Sequence, residues 1–557
     1  MTNSVSSIAF VITGSLTFCL ASAVSQPAYA MSCEGLTGKA LGHPEIEITS
    51  VTHAAKGEES PIDHCLVRGQ TASRTGLDGE RYEIRFELRL PDEWNGRFVH
   101  QFNGGNDGSV EEAFGPLLGG NRRDTALGRG YAVVSSDAGH DGSAHPDAGM
   151  AGSARFGFDP EARRHYGYGA VKILQPVAKA MTEAYYGRKV EFTYGVGGSN
   201  GGRHAMVAAA RIPSEFDGLM VGYPGFNLPK AAIQHAWDVK AFKAVNADIR
   251  KAFSKEDMGL VGAKVLESCD DLDGLKDGVV ADVDGCQTSF DLTKLQCTST
   301  RQSACLSAVQ VKALKTIAMG PQDSAGEQLY STWDWDSGVA GSDWRLWKLE
   351  SGVPEWGGMP RIVVLGAPSL AQIFTTPPTR IDGAPDALEK FLLNFGFDAD
   401  AGKIFTTDGT FPESAMDFMT PTGTHDPDLK SFKEAGGKMI VFHGVSDPVF
   451  SVVDTTKWYE RLDANNGGDA KSFAMFYRIP GMNHGARGPT TDDFDMFSPL
   501  VDWVEKGKAP GAVVAGVSPK NEEAEDLQGI TRKLCPYPHV ARYTGGNKTS
   551  ADSFVCE

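Results

Sequence analysis

The sequence predicts an α/β fold, a layered and mostly parallel sheet interrupted by one large insertion. Three observations predict it. Strand-like runs alternate with Gly- or Asp-rich loops and helical stretches, the order that builds a parallel sheet covered by helices. That alternation fades after about residue 227 and returns near residue 438. The chain is also too long, at 557 residues, for one simple core, so it needs several domains or one domain carrying an insertion.

The elements follow in order. Arg81-Tyr-Glu-Ile-Arg-Phe-Glu-Leu-Arg-Leu90 alternates apolar and charged residues, which suits a half-exposed strand. Gly96 to Phe102 and Tyr131 to Ser136 read as further strands, each ending in a Gly- or Asp-rich loop. A helix is predicted over Tyr168 to Tyr186. Val190 to Gly197 is a strand candidate, and the Ala-rich stretch Gly202 to Ile212 a helix candidate. From 227 to 425, Trp, Pro and Asp-Gly turns concentrate with few strand patterns. Lys438 to His443 and Phe473 to Ile479 then restore buried-strand runs. The division expected is a core in two parts, 31–226 and 426–557, with a lid domain at 227–425.

The first 30 residues read as an export signal. Ile8 to Val24 is mostly apolar, and Ala28-Tyr29-Ala30 offers a small-x-small cleavage site before Met31. A basic leader is missing, since the first charged residue is Glu34. No later stretch is apolar and long enough to span a bilayer, so a secreted or periplasmic protein is expected. Removing Cys19 with the signal leaves eight cysteines, an even number that in an exported chain reads as disulfides. Local clustering favours Cys33–Cys65, Cys269–Cys286, Cys297–Cys305 and Cys535–Cys556. No C-x-x-C pair occurs, which argues against zinc. The formal net charge of −18, with no Lys/Arg run, argues against nucleic acid and anionic membrane as partners. A monomer is expected.

Gly197-Gly198-Ser199-Asn200-Gly201 lies between a strand candidate and a helix candidate. In that context it reads as a nucleophile elbow, where flanking side chains must be absent for strand and helix to approach. A serine needs a base, and the base an orienting acid, in the order Ser, acid, His along an α/β-hydrolase chain. Asp447 follows the strand Lys438 to Phe442, with Asp454 a nearby competitor. His484 sits on the Gly-flanked loop after the last strand. His140, His204 and His443 come too early, and His539 lies in a Pro-rich tail. Ser199, Asp447 and His484 are therefore the predicted triad of an α/β-hydrolase fold with a lid domain inserted between the nucleophile and the acid and His segments. The N–H of Asn200, with another from the loop Phe102 to Gly108, would hold an oxyanion.

Trp94-Asn-Gly-Arg-Phe98, Gly139-His-Asp141, the Ser199 elbow, His443-Gly-x-x-Asp447 and Pro480-Gly-Met-Asn-His484 together resemble the tannase and feruloyl esterase family. Leu228-Pro-Lys-Ala231 and Cys535-Pro-Tyr-Pro538 extend the resemblance over nearly the whole chain. It implies a serine carboxylesterase for small aromatic esters, with Gly105 and Asn200 as the oxyanion donors. It also implies structural Ca²⁺ in the lid. Asp270, Asp273 and Asp277 would bind the ion with the backbone carbonyls of Leu275 and Val279, and hard oxygen donors of this kind suit it. Trp347 and Arg361 resemble positions in a member acting on a terephthalate half-ester, where they pack on the ring and pair with its free carboxylate. Leu365 stands where that member has an aromatic residue, which implies a looser clamp.

Members of the family usually join a Cys before the Ser to a Cys after the His. Here Gly198 and Gly485 hold those positions, so a more mobile His484 loop and a lower unfolding temperature are expected. The competing readings are a feruloyl esterase or tannase acting on phenolic acid esters, and a non-catalytic, calcium-stabilised binding protein of the envelope.

Overall fold

The structure, a computed structural model, describes residues 1–2, 31–38, 42–58, 60–119, 124–298 and 305–557. The expected export signal lies outside the described residues except for its first two.

Nine strands form the main sheet: β1 (Glu47–Ala54), β2 (His64–Thr75), β3 (Arg81–Pro91), β4 (Arg97–Phe102), β5 (Ala132–Ser136), β6 (Phe192–Gly198), β7 (Gly218–Gly222), β8 (Lys438–Gly444) and β9 (Ala474–Ile479). Their order is β1-β2-β3-β5-β4-β6-β7-β8-β9. The pairings from β1 to β5 through β2 and β3 are antiparallel. All later ones, from β5–β4 to β8–β9, are parallel. The parallel strands read as continuous apolar runs because both faces are covered. In β8, Met439 and Val441 face a core built with Ala205, Met206 and Trp458. Ile440 and Phe442 face the opposite one, with Phe497, Leu500 and Trp503.

The β3 alternation predicts a solvent-facing side, which Arg81, Glu83 and Arg85 supply, and the structure differs only at Glu87 and Arg89. Glu87 and Arg89 are 2% and 3% exposed and pair at 2.6 Å. Each neutralises the other inside the protein, so charges that imitate a wet face sit in a dry one.

Between β7 and β8 no described residue adds a strand to the main sheet. Helices Leu228–Val245, Lys255–Cys269, Ala308–Met319 and Pro385–Asn394 fill this stretch. Their apolar residues, among them Val239, Phe242, Val261 and Leu314, join one core with Ile84, Phe86 and Leu88 of β3. Disulfides join Cys33–Cys65, Cys269–Cys286, Cys297–Cys305 and Cys535–Cys556. No helix of the described residues is long and apolar enough to cross a membrane.

Candidate active site

Because β4, β6, β8 and β9 are parallel, the loops that follow them open on one edge of the sheet. Each supplies one part of a single cluster. Ser199 links β6 to the helix Asn200–Arg211 with φ 63° and ψ −127°, a conformation that L residues adopt only under constraint and at about 1–3 kcal/mol of strain. The glycines around it are required sterically. A Cβ on Gly197 would stand 2.5 Å from the Gly201 carbonyl oxygen, and one on Gly201 2.3 Å from that of Phe102. The Ser199 N–H donates to the Gly222 carbonyl at 3.0 Å, tying the elbow to β7.

The Ser199 Oγ lies 2.8 Å from His484 Nε2, and His484 Nδ1 lies 2.8 Å from Asp447 Oδ2. Nδ1–H therefore donates to the carboxylate, and Nε2 is left to accept the serine proton. Asp447 is 2% exposed, and its Oδ1 accepts the N–H groups of Val449 and Phe450 at 2.8 and 3.1 Å. Burial alone would raise its pKa. The His484 charge and hydrogen bonds from His443 and His484 overcome burial and hold the carboxyl well below its usual range. His443 is a member of the cluster that chain order excluded as base. Its Nε2 lies 3.3 Å from Asp447 Oδ2 and its Nδ1 3.0 Å from Thr455 Oγ1. The rival Asp454 faces Asn227 instead, and His204 faces Asp107.

Two carboxylates of the inserted segment brace these loops, and no sequence motif pointed to either. Asp336 is buried, accepts from Ser446 Oγ at 2.5 Å, and takes the N–H groups of Gly338 and Gly481 at 3.0 Å each. It thus joins the acid loop to the His loop. Asp343 accepts the His484 N–H at 3.2 Å.

On the oxyanion side, Asn200 is the first residue of its helix, so its N–H has no acceptor within the helix. Its side chain is fixed by Asp107 at 2.9 Å and by Arg203 at 2.5 Å. A Cβ on Gly104 would stand 3.8 Å from the Ser199 Cβ, and Gly105, at φ +62°, continues the same loop. A cavity of about 890 Å³ is lined by Ser199, His484, Gly104 and Gly105 together with Trp347, Arg361 and Leu365. The Trp347 ring stands 5.3 Å from that of His484, and the Arg361 guanidinium lies 5.0 Å over Trp347. Arg361 Nε is buried and has no hydrogen-bond partner.

The loop 270–279 was expected to hold calcium, and its donors suit a hard cation in kind. Asp273 is 4% exposed, and burial, with added repulsion from Asp277 and Asp270, pushes its pKa up to about 7. Asp270 Oδ1 accepts the Asp277 and Gly278 N–H groups, and Asp277 pairs with Arg532. Among the described residues no three His, Cys, Asp or Glu side chains gather as a metal-holding group.

The Tyr223 ring tip lies between Gly198 and Gly485, where the family's cystine would stand. A Cβ on Gly198 would meet Tyr223 Oη at 2.3 Å, and one on Gly485 would meet Tyr223 Cζ at 2.3 Å.

This sheet, its strained serine and the hydrogen-bonded line behind it define a serine hydrolase of the α/β-hydrolase type. A family model described as tannase and feruloyl esterase matches residues 65–557, and the chain belongs to that family. Among curated relatives, mono(2-hydroxyethyl) terephthalate hydrolase of Piscinibacter sakaiensis is 40% identical, covering 92% of this chain and 88% of its own. A probable feruloyl esterase of Arthroderma benhamiae is 29% identical over 92% and 89%. The crystal structure of feruloyl esterase B from Aspergillus oryzae superposes with a TM-score of 0.72 at 22% identity, covering 94% of this chain and 99% of that one. This last likeness is one of fold.

Proposed function

We propose that this chain is an exported serine carboxylesterase that hydrolyses esters of aromatic acids carrying a second carboxylate, the terephthalate half-ester among them. The observation that carries the reading is Arg361. A buried guanidinium nitrogen without a partner, beside an aromatic face and in the same cavity as Ser199, suits an anionic ring substituent. Arg meets a carboxylate with a planar fork.

His484 takes the Ser199 proton as Oγ attacks the ester carbonyl, and the Gly105 and Asn200 N–H groups receive the oxyanion. The alcohol leaves with the proton from His484, and water then releases the acid by the same route. Asp447 keeps the imidazole in the productive tautomer and stabilises its charge.

The second reading is a feruloyl or gallate esterase. Leu365, smaller than an aromatic residue, leaves room around the ring for phenolic substituents. The connected triad weighs against a non-catalytic envelope protein. Four disulfides support export, since such bonds persist in oxidising compartments. The small-molecule cavity and the acidic charge support a partner list without nucleic acid or membrane, and a monomer is the state proposed. We also assign Ca²⁺ to the 270–279 loop in a structural role, on the strength of the buried Asp273 carboxyl and the Cys269–Cys286 bond that flanks the loop.

Rates on the terephthalate half-ester, its fully esterified counterpart, methyl ferulate and methyl gallate test the substrate. The first reading expects the half-ester to lead in kcat/KM by at least about 10-fold, the size of one good polar contact. A lead by ferulate or gallate would replace it with the second.

A further inference from the structure

Tyr223 follows β7 with a positive φ of 34°, uncommon for a residue with a side chain. Its N–H donates to the Phe442 carbonyl at 2.6 Å, which pins the backbone to the end of β8. From there the ring runs into the active site. It meets the His484 imidazole edge-on, with centroids 4.8 Å apart and planes at 68°, and packs on Phe442 at 5.8 Å.

The tip of this ring sits between the serine elbow and the His loop. Measured from ideal Cβ positions, Gly198 would stand 2.4 Å from Tyr223 Cζ and Gly485 2.3 Å from the same atom. The two positions are thus no more than about 5 Å apart, close to the Cβ spacing of a cystine. The ring tip occupies the space that sulfur atoms would fill. A Cβ at either glycine would displace the ring tip, and at Gly485, with φ +83°, the backbone also favours glycine.

We propose that Tyr223 is a positioning residue that holds the elbow and the His484 loop in register by packing, in place of a covalent bridge. Gly198, Tyr223 and Gly485 form one interlocking set, in which two small residues admit one large ring. The ring limits sideways motion of the imidazole from one side, while Trp347 at 5.3 Å and Phe450 at 5.6 Å limit it from others. The inference rests on the triad reading above.

The test compares Tyr223→Ala and Tyr223→Phe with the parent. Removing the ring is expected to lower kcat at least about 10-fold, because small misplacements of a reacting group are costly in rate. The inhibition constant of the free acid product is expected to move much less, and fluorophosphonate labelling of Ser199 to slow in step with kcat. Tyr223→Phe keeps the ring but loses the hydroxyl at its tip, and is expected to lose much less kcat than Tyr223→Ala. An unchanged kcat in Tyr223→Ala overturns the proposal, as does a Phe variant as slow as the Ala one. Should Tyr223→Ala fail to fold, Gly198→Cys/Gly485→Cys with Tyr223 retained decides. Two additional titratable thiols and lost activity support the interlock, and a disulfide formed with activity kept overturns it. A parent that neither turns over esters nor labels at Ser199 refutes the triad reading instead.

Discussion

Replacing Asp447 by Asn tests the charge relation at the centre of the site while leaving its shape alone. The native carboxylate accepts three hydrogen bonds, from His484 Nδ1–H at 2.8 Å and from the N–H groups of Val449 and Phe450, while His443 Nε2 stands 3.3 Å away and bonds the Phe450 carbonyl at 3.1 Å. In the variant, Oδ1 keeps the two backbone bonds, so the loop keeps its cap. The new Nδ2 is a donor facing the His484 Nδ1–H, itself a donor. His484 must shift its proton to Nε2 to make peace with it, and Nε2 can then no longer accept from Ser199. The expected loss is about 10⁴-fold in kcat, roughly 5.5 kcal/mol in the barrier, with KM little changed.

The same substitution changes the response to acid. Asp447 titrates below its unfolded value, so its contribution to stability is fully present above about pH 4 and disappears as pH falls through the folded pKa. Asp447→Asn should flatten the fall of the unfolding midpoint below about pH 4. Steady-state kinetics on an aromatic ester, with thermal unfolding from pH 3 to 8, measures both. A variant retaining kcat within 10-fold of the parent would refute the assigned role.

Three further outcomes are expected. Asp336→Ala strands the Ser446 hydroxyl and the Gly338 and Gly481 N–H groups. At about 1–3 kcal/mol per orphaned buried group, less what water recovers, a loss of about 3 kcal/mol in stability should appear by denaturant unfolding, together with a lower kcat. Arg361→Ala should raise KM for the half-ester at least about 10-fold and leave esters without a distal carboxylate nearly unaffected, which paired kinetics will show. Chelation by EDTA should lower the unfolding temperature and added calcium restore it, a response that Asp273→Ala abolishes; differential scanning fluorimetry reads all three conditions.

Much of the core was legible because local sequence and fold agree there. Strands β6, β8 and β9 are short, largely apolar runs, and each leads into the loop that carries one member of the triad. Legibility failed where tertiary pairing rewrites local signals. Glu87 and Arg89 looked wet and are buried against each other. β7, only five residues with glycine at both ends, carries too little pattern to stand out in the sequence. Asp336 and Asp343 sit in a Trp-rich stretch with no motif, and their use depends on loops more than a hundred residues away. Tyr223 was invisible for a related reason. The absence of two cysteines could be read at Gly198 and Gly485, but the side chain that fills the space comes from a third, separate segment.

The most direct check is chemical. Treating the protein with a fluorophosphonate and mapping the adduct by peptide mass spectrometry asks whether Ser199 is an activated nucleophile and whether His484 activates it. The account predicts one adduct, on Ser199, whose formation slows by orders of magnitude in His484→Ala. An unmodified Ser199, or a labelling rate indifferent to loss of the imidazole, would contradict it.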